Sequence, residues 1–269
     1  MKIDVRAAIR SKSPKLAKII PSFIISCIEK LIHQDEMNAF IERHKNDTPI
    51  AFATAGLREV SQVTYSAVNK DNIPKIGRSI IVSNHPLGGI DGLALIALMG
   101  KYRTDIKFPV NDLLMQLNAM HGVFIPVNKH GRNQSQVVNM LNSAFESEDL
   151  IIYFPAGLCS RKKGKDIYDL EWKKTIITKA KQYKRDIIPV FFDGKNSNRF
   201  YNLANWRKKL GIKVNIEMLF LPDEFFRQKG NHFTIIFGTK ISYQSFNNTK
   251  TDSEWSEWLK KQVYALRNH

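Results

Sequence analysis

Short apolar runs, separated by polar and glycine-containing segments, recur along most of the chain. Runs of this length predict buried strands. The predicted strands are Ser79–Ser83, Ile106–Val110, Val123–Val127, Leu150–Phe154, Ile187–Phe192, Val214–Leu221 and Phe233–Phe237. Apolar positions at helical spacing predict helices over Val137–Phe145 and Trp172–Tyr183, with Asp169 available as a cap for the second helix.

Near the end of the chain, Thr251 and Glu254 have the spacing of a capping box and predict the start of a last helix. The alternation of strands and helices predicts an α/β fold, a three-layer single domain with a mostly parallel central sheet flanked by helices. The length of 269 residues is sufficient for a substantial hydrophobic core.

The N-terminal region has an apolar stripe of its own. Leu16, Ile19, Ile20, Phe23, Ile24, Cys27, Ile28 and Leu31 recur at helical spacing, with Lys15, Lys18 and Lys30 beside them. A basic amphipathic helix of this kind either packs on the domain core or lies in the surface of an anionic membrane, and different edges of one helix can do both. We therefore divide the chain into an N-terminal helical region, residues 1–70, and a domain that covers residues 71–269.

Charge and cysteine content narrow the choice of partner and compartment. The formal net charge of +16 and the sequence pI of about 9.8 predict a polyanionic partner: an anionic membrane surface, an acidic carrier protein or nucleic acid. Two cysteines are too few for a disulfide framework and fit a reducing compartment. Because no apolar run is long enough to span a bilayer and no signal-peptide pattern is present, we expect a cytoplasmic protein, peripheral on the inner face of the cytoplasmic membrane.

The most informative segment is the glycine-rich loop that follows the first predicted strand. It places His85 and Asp91 after the carboxyl end of that strand, where ligands bind in open α/β sheets. Imidazole accepts protons near neutral pH, and a nearby carboxylate fixes its tautomer and orientation. Gly88 and Gly89 allow a turn tight enough for the two side chains to meet. This favours a catalytic pair over the alternative, a surface histidine and an aspartate that caps the next helix.

A second loop has a similar position after the run Leu150–Phe154. It begins with Phe154, Pro155, Ala156 and Gly157 and continues through Ser160 and Arg161 into a lysine-rich stretch. Glycine allows close backbone approach, and the serine and arginine are suited to bind phosphate or carboxylate oxygens. Cys159 is either a nucleophile or a small residue that fills space, and the lack of a neighbouring basic histidine in the sequence favours the second interpretation.

Together, the two loops resemble the motifs of the glycerolphosphate and lysophospholipid acyltransferase superfamily. The resemblance rests on Asn84-His85-Pro86 with Asp91, followed at the usual distance by Phe154-Pro155 and by Ser160-Arg161. The sequences NHPLGGIDG and FPAGLCSRK are most similar to the bacterial hemolysin-like acyltransferases. That branch includes N-acyltransferases that attach a 3-hydroxy fatty acyl chain to ornithine or glycine. The likeness covers roughly residues 79–192.

The chain departs from the superfamily pattern in two ways. Five residues, where the superfamily has four, separate His85 from Asp91. Ala156 stands where the glycerolipid enzymes have a glutamate. The second departure disfavours a phosphatidate-type acceptor, but the base and its partner carboxylate remain.

The resemblance implies direct acyl transfer from a thioester of acyl carrier protein or coenzyme A, without a metal or any other cofactor. His85 is then the general base and Asp91 the carboxylate that orients it. The implied acceptor is a small amine, glycine or ornithine, in membrane lipid synthesis, and a lysophospholipid or another hydroxyl acceptor is the alternative. Implied substrate-binding residues are Phe154, Pro155, Gly157, Ser160 and Arg161, with Asn128 or Lys129 in the family's second motif.

Two hypotheses outside the enzyme class remain, a nucleic-acid-binding protein and a membrane-binding scaffold. The chain has no helix-turn-helix, zinc or ribonucleoprotein motif, and its charge is spread along the sequence, which disfavours nucleic acid as a partner. Substitution of His85 by alanine separates the classes, because only an enzyme loses its product.

Overall fold

The computed structural model describes residues 3–14, 19–111, 114–127 and 134–268. The helices are α1 (Val5–Lys12), α2 (Ser22–Leu31), α3 (Gln34–Arg43), α4 (Pro49–Ala55), α5 (Ile90–Met99), α6 (Gln134–Glu146), α7 (Thr175–Gln182), α8 (Asn198–Lys209), α9 (Leu221–Arg227) and α10 (Asp252–Ala265). The strands are β1 (Thr64–Val68), β2 (Ser79–Ser83), β3 (Ile106–Val110), β4 (Phe124–Pro126), β5 (Leu150–Tyr153), β6 (Arg161–Lys163), β7 (Asp166–Tyr168), β8 (Asp186–Asp193) and β9 (His232–Phe237).

Seven of these strands form one sheet in the order β1-β9-β8-β2-β5-β3-β4. Every neighbouring pair is parallel except β8 with β9. The central strand is β2, in which Ile80 lies opposite Ile151 of β5 and Ile187 of β8. The carboxyl ends of β2, β5 and β8 therefore meet at one edge of the sheet, the edge where such folds bind ligands.

Both faces of the sheet are covered, because successive residues of a strand point to opposite sides. Ile81 packs in one core with Leu95 of α5, while its neighbour Ile80 packs in a second core with Ile177 of α7 and Leu259 of α10. All five of these side chains are fully buried. The sheet is thus the middle of three layers, and the predicted α/β fold with a mostly parallel central sheet is confirmed.

Six of the seven predicted strands are present, with ends shifted by no more than one residue. The strand predicted over Val214–Leu221 is wrong, because this stretch forms a 3-10 turn and then begins α9. It buries its charged residue, Glu217, between two arginines and exposes Val214 and Leu219. That is the reverse of the burial a core strand requires.

Two further differences are a strand that the sequence did not predict and a helix that begins later than expected. Strand β1, which pairs in parallel with β9, was not predicted. The helix predicted from Trp172 begins only at Thr175, and Asp169 does not cap it. The capping box is confirmed: the Thr251 side chain accepts a hydrogen bond from the Glu254 N–H, and the Glu254 carboxylate accepts one from the Thr251 N–H.

In the N-terminal region, α2 begins directly after Pro21. Ile25, which is not part of the predicted stripe, is the buried residue of this helix. The stripe residues Ile19, Phe23, Ile24 and Cys27 are exposed, so much of the stripe faces away from the core. Lys15, Leu16 and Lys18 lie outside the described residues. No helix in the described ranges combines the length and the apolar character that crossing a bilayer requires. The division of the chain at residue 70 stays a prediction.

Candidate active site

The loop between β2 and α5 carries His85, and Asp91 lies in the first turn of α5, so both residues are at the carboxyl end of the central strand. Gly88 adopts a φ of +87°, a conformation that glycine adopts without strain. A Cβ atom at this position would lie 2.8 Å from Sγ of Cys159. The loop therefore turns sharply and passes close against the second motif-bearing loop.

The structure brings the two side chains of the predicted pair together. His85 Nδ1 lies 3.0 Å from Asp91 Oδ2, which also accepts a hydrogen bond from the Leu87 N–H at 3.0 Å. The other carboxylate oxygen accepts one from the Gly92 N–H at 2.9 Å. The Asp91 side chain is 0% exposed and the His85 side chain 14%. A neutral imidazole that donates Nδ1–H to Asp91 leaves Nε2 free to take a proton from a reactant.

Burial and the neighbouring charges shift the pKa values of His85 and Asp91 in opposite directions. Burial disfavours the imidazolium form of His85, but the negative charge of Asp91 and its hydrogen bond outweigh that effect and raise the pKa of His85. Burial also disfavours the carboxylate form of Asp91. The His85 charge, the His85 hydrogen bond and the backbone N–H groups of Leu87 and Gly92 nevertheless hold the pKa of Asp91 below its ordinary value. The pair is thus arranged to hold a charged imidazolium once a proton has been accepted.

The second loop forms one wall of this site. The ring of Phe154 stacks on the His85 imidazole, with centroids 4.2 Å apart and an interplanar angle of 19°. Pro155 is buried, and its carbonyl accepts a hydrogen bond from the Lys173 N–H at 3.2 Å. Gly157 is exposed at a φ of +65°, and its N–H donates to the Phe154 carbonyl at 3.1 Å. The aromatic ring therefore fixes one face of the imidazole, while the glycine leaves the turn open to solvent.

Ser160 joins the two loops. Its backbone N–H donates to the His85 carbonyl at 2.8 Å, and its hydroxyl donates to Asp169 Oδ1 at 2.6 Å. Asp169 is buried and also accepts hydrogen bonds from the His85 N–H at 3.1 Å and from Trp172 Nε1 at 2.8 Å. Burial raises the pKa of Asp169, and these hydrogen bonds offset that rise only in part.

The sequence predicts Asp169 as a cap for the next helix, but the structure makes it a buried carboxylate that accepts a hydrogen bond from the His85 backbone N–H. One sequence signal does point to it. A tryptophan three residues later needs an acceptor for its indole N–H when it is buried, and an aspartate at this spacing supplies one.

The structure gives Arg161 a set of protein partners. Its guanidinium pairs with Glu217 at 2.7 Å and donates to the Cys159 carbonyl at 2.6 Å. Arg207 of α8 lies 2.8 Å from the other oxygen of the same glutamate. All three side chains are nearly inaccessible to solvent, so this ion-pair cluster ties the second loop to α8.

Cys159 belongs to the second loop, and its side chain is fully buried. Burial raises the pKa of its thiol far above the ordinary value, so the reactive thiolate form is strongly disfavoured. The space-filling interpretation of this cysteine therefore fits the structure. In the described part of the chain, no three or more His, Cys, Asp or Glu side chains form a group suited to hold a metal.

A cavity of about 510 Å³ opens beside the catalytic loop, and its lining includes Asn84, Pro86, Ser160 and Asn196. The Asn196 side chain is 4% exposed and donates to the Pro86 carbonyl at 3.1 Å. Among the described residues, its Oδ1 atom has no hydrogen-bond partner. Asn196 thus lies in the wall of the cavity and ties it to the His85 loop. Asn128 and Lys129 lie outside the described residues.

Comparison with known proteins places this geometry in context. The family model described as acyltransferase matches residues 7–269. The chain is 45% identical over 265 residues to a lyso-glycine lipid O-acyltransferase of Bacteroides thetaiotaomicron, covering 98% of this chain and 97% of that protein. It is 43% identical over 265 residues to a lyso-glycine lipid O-acyltransferase of Phocaeicola vulgatus, covering 98% of this chain and 95% of that protein.

Among solved structures, the fold is similar to the 1-acyl-sn-glycerophosphate acyltransferase PlsC of Thermotoga maritima, with a TM-score of 0.47 and 14% identity over 92% of this chain and 93% of that one. The curated relatives are named for transfer to oxygen, so the narrower expectation of a hemolysin-like N-acyltransferase is not confirmed. The family match nevertheless spans the whole core and both loops. The chain belongs to the acyltransferase family, and it is an acyltransferase.

Proposed function

We propose that this acyltransferase moves a fatty acyl group from a thioester to the hydroxyl group of a lyso-glycine lipid. The observation that carries the proposal is the 45% identity, over 98% of the chain, to a lyso-glycine lipid O-acyltransferase. A lyso lipid lacks one acyl chain, and an O-acyltransferase restores that chain on an oxygen atom. The proposed acceptor is therefore a glycine lipid with a free hydroxyl group.

In this proposal His85 is the general base. The acceptor oxygen attacks the thioester carbonyl carbon as its proton passes to Nε2, and Asp91 stabilises the imidazolium that forms. The C–S bond then breaks, and the leaving thiolate takes the proton back from His85. A base in this position contributes about 10²–10⁴-fold to the rate. Transfer is direct, because the buried Cys159 thiol does not supply a nucleophile.

The proposed donor is acyl carrier protein or a coenzyme A thioester, and no further cofactor or metal takes part. Both donors are strongly anionic, which suits a chain with a net charge of +16. Asn128 or Lys129 remains the proposed binding residue for anionic groups of the substrates, and Phe154, Pro155 and Gly157 are proposed to shape the acyl and acceptor path. Ser160 and Arg161 are proposed to support this path from behind, because their side chains are buried and bonded to Asp169 and Glu217. We propose that the enzyme works at the anionic inner face of the cytoplasmic membrane.

We propose that the cavity beside Pro86 holds the head group of such an acceptor, because it opens at the carboxyl end of the central strand, next to the His85 loop.

The second candidate is transfer to the amine of glycine or ornithine. The sequences NHPLGGIDG and FPAGLCSRK, which resemble the hemolysin-like N-acyltransferases, favour it. The same base serves both reactions, since an amine nucleophile also loses a proton as its amide forms.

The two candidates are separated by incubating the purified chain with acyl-coenzyme A or acyl carrier protein thioesters and one acceptor at a time. The acceptors are N-(3-hydroxyacyl)glycine, free glycine and free ornithine, and the products are identified by mass spectrometry. Mild alkali cleaves an ester product and leaves an amide intact. We expect an alkali-labile product from the hydroxylated lipid and none from the His85→Ala enzyme. An amide from a free amino acid supports the second candidate instead, and no product with any acceptor overturns both.

A further inference from the structure

We propose that an exposed apolar surface on α8 and the segment after it docks on an anionic lipid bilayer. This surface, here called the Trp206 surface, consists of Trp206, Leu210, Ile212, Val214 and Leu219. The inference rests on the lipid acceptor of the proposed function, because an enzyme that acylates a lipid meets its substrate at a membrane.

Its side chains are far more exposed than apolar residues of the core. Trp206 is 68% exposed, Leu210 64% and Val214 70%. Single exposed apolar residues are common on soluble proteins, but a contiguous group marks an interaction site.

The five residues fall within one stretch of fourteen residues that turns back at the end of α8. Trp206 and Leu210, the residue directly after the helix, are four residues apart and share one face. The Ile212 N–H donates to the Arg207 carbonyl at 3.1 Å. This bond and the ion pair between Arg207 and Glu217 hold the segment close to the helix end.

The opposite side of this segment is firmly anchored. Arg207, next to Trp206, points inward and pairs with the buried Glu217, and its Nη1 donates to the Ile212 carbonyl at 2.8 Å. Glu217 in turn pairs with Arg161 of the second motif-bearing loop. The apolar side chains are thus presented to solvent by a segment that the buried Arg207 and Glu217 anchor to the interior.

The surface is also basic. Lys208, Lys209 and Lys213 are exposed and lie between its apolar residues in the sequence. Within the described part of the chain, none of the three has an acidic partner. An apolar surface interleaved with unpaired lysines is complementary to a bilayer that combines acyl chains with anionic head groups.

The Trp206 surface is connected to the catalytic loop. Helix α9 begins at Leu221, two residues after Leu219, and covers the glycine turn of that loop. A Cβ atom on Gly88 would lie 3.0 Å from Leu221, and one on Gly89 would lie 3.2 Å from Phe225. Docking of this surface therefore brings the bilayer to the helix that packs on the loop of His85.

The residue types favour a bilayer over an acidic carrier protein. Tryptophan prefers the boundary between head groups and acyl chains, and lysine side chains beside apolar residues extend their ammonium groups toward lipid phosphates. An acidic carrier protein would form ion pairs with the lysines but would leave most of the exposed aliphatic side chains of the Trp206 surface without a partner.

The test is sedimentation of the full chain with vesicles of phosphatidylcholine alone and of phosphatidylcholine with phosphatidylglycerol in equal parts. The variants are Trp206→Ser/Leu210→Ser and Lys208→Gln/Lys209→Gln. The matched control is Ile76→Ser, because Ile76 is 86% exposed and precedes the amino end of β2, away from the catalytic loop. Melting temperatures identify any variant that fails to fold.

We expect salt-sensitive binding to the anionic vesicles, with affinity lowered by about five-fold for each lysine removed. The Trp206/Leu210 variant is expected to lose most of its binding, and the Ile76 variant none. The inference is overturned if the Trp206 surface variants bind the vesicles as tightly as the native chain does. It is also overturned if these variants lose affinity for acyl carrier protein but not for the vesicles. Transfer to a water-soluble short-chain acceptor, measured on the same variants, reports the proposed function separately, since failed docking leaves that activity intact.

Discussion

The carboxylate of Asp169 accepts a hydrogen bond from the backbone N–H of His85 at 3.1 Å. The carbonyl of the same histidine accepts one from the Ser160 N–H at 2.8 Å, and the Ser160 hydroxyl donates to Asp169. Both polar groups of the His85 backbone are therefore bonded to the second motif-bearing loop and the carboxylate behind it. The position of the base depends on a residue outside both motifs.

Substitution of Asp169 by alanine is expected to lower both stability and turnover. It leaves the His85 N–H, the Ser160 hydroxyl and the Trp172 indole N–H without an acceptor, and each buried orphan costs about 1–3 kcal/mol. A displaced base lowers kcat by about 10–100-fold. Thermal unfolding and steady-state kinetics on the purified enzyme measure the two effects.

The control for this prediction is the pair Asp169→Asn and Asp169→Asn/Trp172→Phe. An asparagine keeps one oxygen for the His85 and Ser160 donors but turns its own N–H₂ toward the indole N–H, and phenylalanine removes that conflict. We expect the double variant to recover turnover relative to Asp169→Asn. Wild-type kcat in Asp169→Ala would contradict a positioning role.

Gly88→Ala is expected to destabilise the protein and reduce transfer. The new Cβ would lie 2.8 Å from Cys159 Sγ and 3.0 Å from Leu221 at a φ of +87°. Overpacking of this kind costs about 1–3 kcal/mol. The matched control is Gly77→Ala, at a φ of +81° with no atom within 4 Å of the new Cβ, because it shares the backbone strain without the contact. Equal melting temperatures for the two variants would show that the close approach has no effect.

Cys159→Ala is expected to keep most of the transferase activity. The thiol is fully buried and burial raises its pKa, so the reactive thiolate is scarce. Removing the sulfur leaves a small cavity, for which a loss of stability of about 1 kcal/mol is expected. Measurements of kcat and of inactivation by iodoacetamide test this interpretation. Rapid inactivation of the native enzyme, absent in Cys159→Ala, would restore the case for a cysteine nucleophile.

The inner strands of the central sheet could be predicted from the sequence because they are buried on both faces, whereas the edge strand β1 has no buried residue and lacks this signal. Runs such as Ile80 to Val82 have no polar position, and only the middle of a layered fold accommodates them. The segment from Val214 to Leu221 has a similar composition, but long-range partners decide its structure. Glu217 is drawn inward by Arg161 and Arg207, which are distant in the sequence, and the apolar residues are displaced to the surface.

The same distinction between local and long-range contacts separates the catalytic pair, which the sequence predicts, from the second carboxylate, Asp169, whose role it does not predict. His85 and Asp91 flank one short glycine-containing turn, with Asp91 in the first turn of α5, so local sequence is enough to pair them. Asp169 reaches the His85 backbone from 84 residues away. A carboxylate before a tryptophan is also the pattern of a helix start, and only the packing of Trp172 in the core distinguishes the two roles. Tertiary contacts of this kind leave little periodic signal in a single sequence.

The pH dependence of transfer follows from the surroundings of His85. Burial alone would lower the pKa of His85, but the charge and hydrogen bond of Asp91 raise it above its ordinary value. A general base must be unprotonated, so kcat/KM is expected to rise with pH and to level off only above the raised pKa. Asp91→Asn removes the negative charge, and burial then shifts the acid limb of the profile to lower pH. The same change removes the charge that stabilises the imidazolium formed during transfer, so the plateau value of kcat/KM is expected to fall by about 10²–10⁴-fold. Profiles of kcat/KM with a saturating thioester donor measure both changes. An acid limb that stays in place in Asp91→Asn, or one that moves to higher pH, is incompatible with a base whose protonated form is stabilised by this carboxylate.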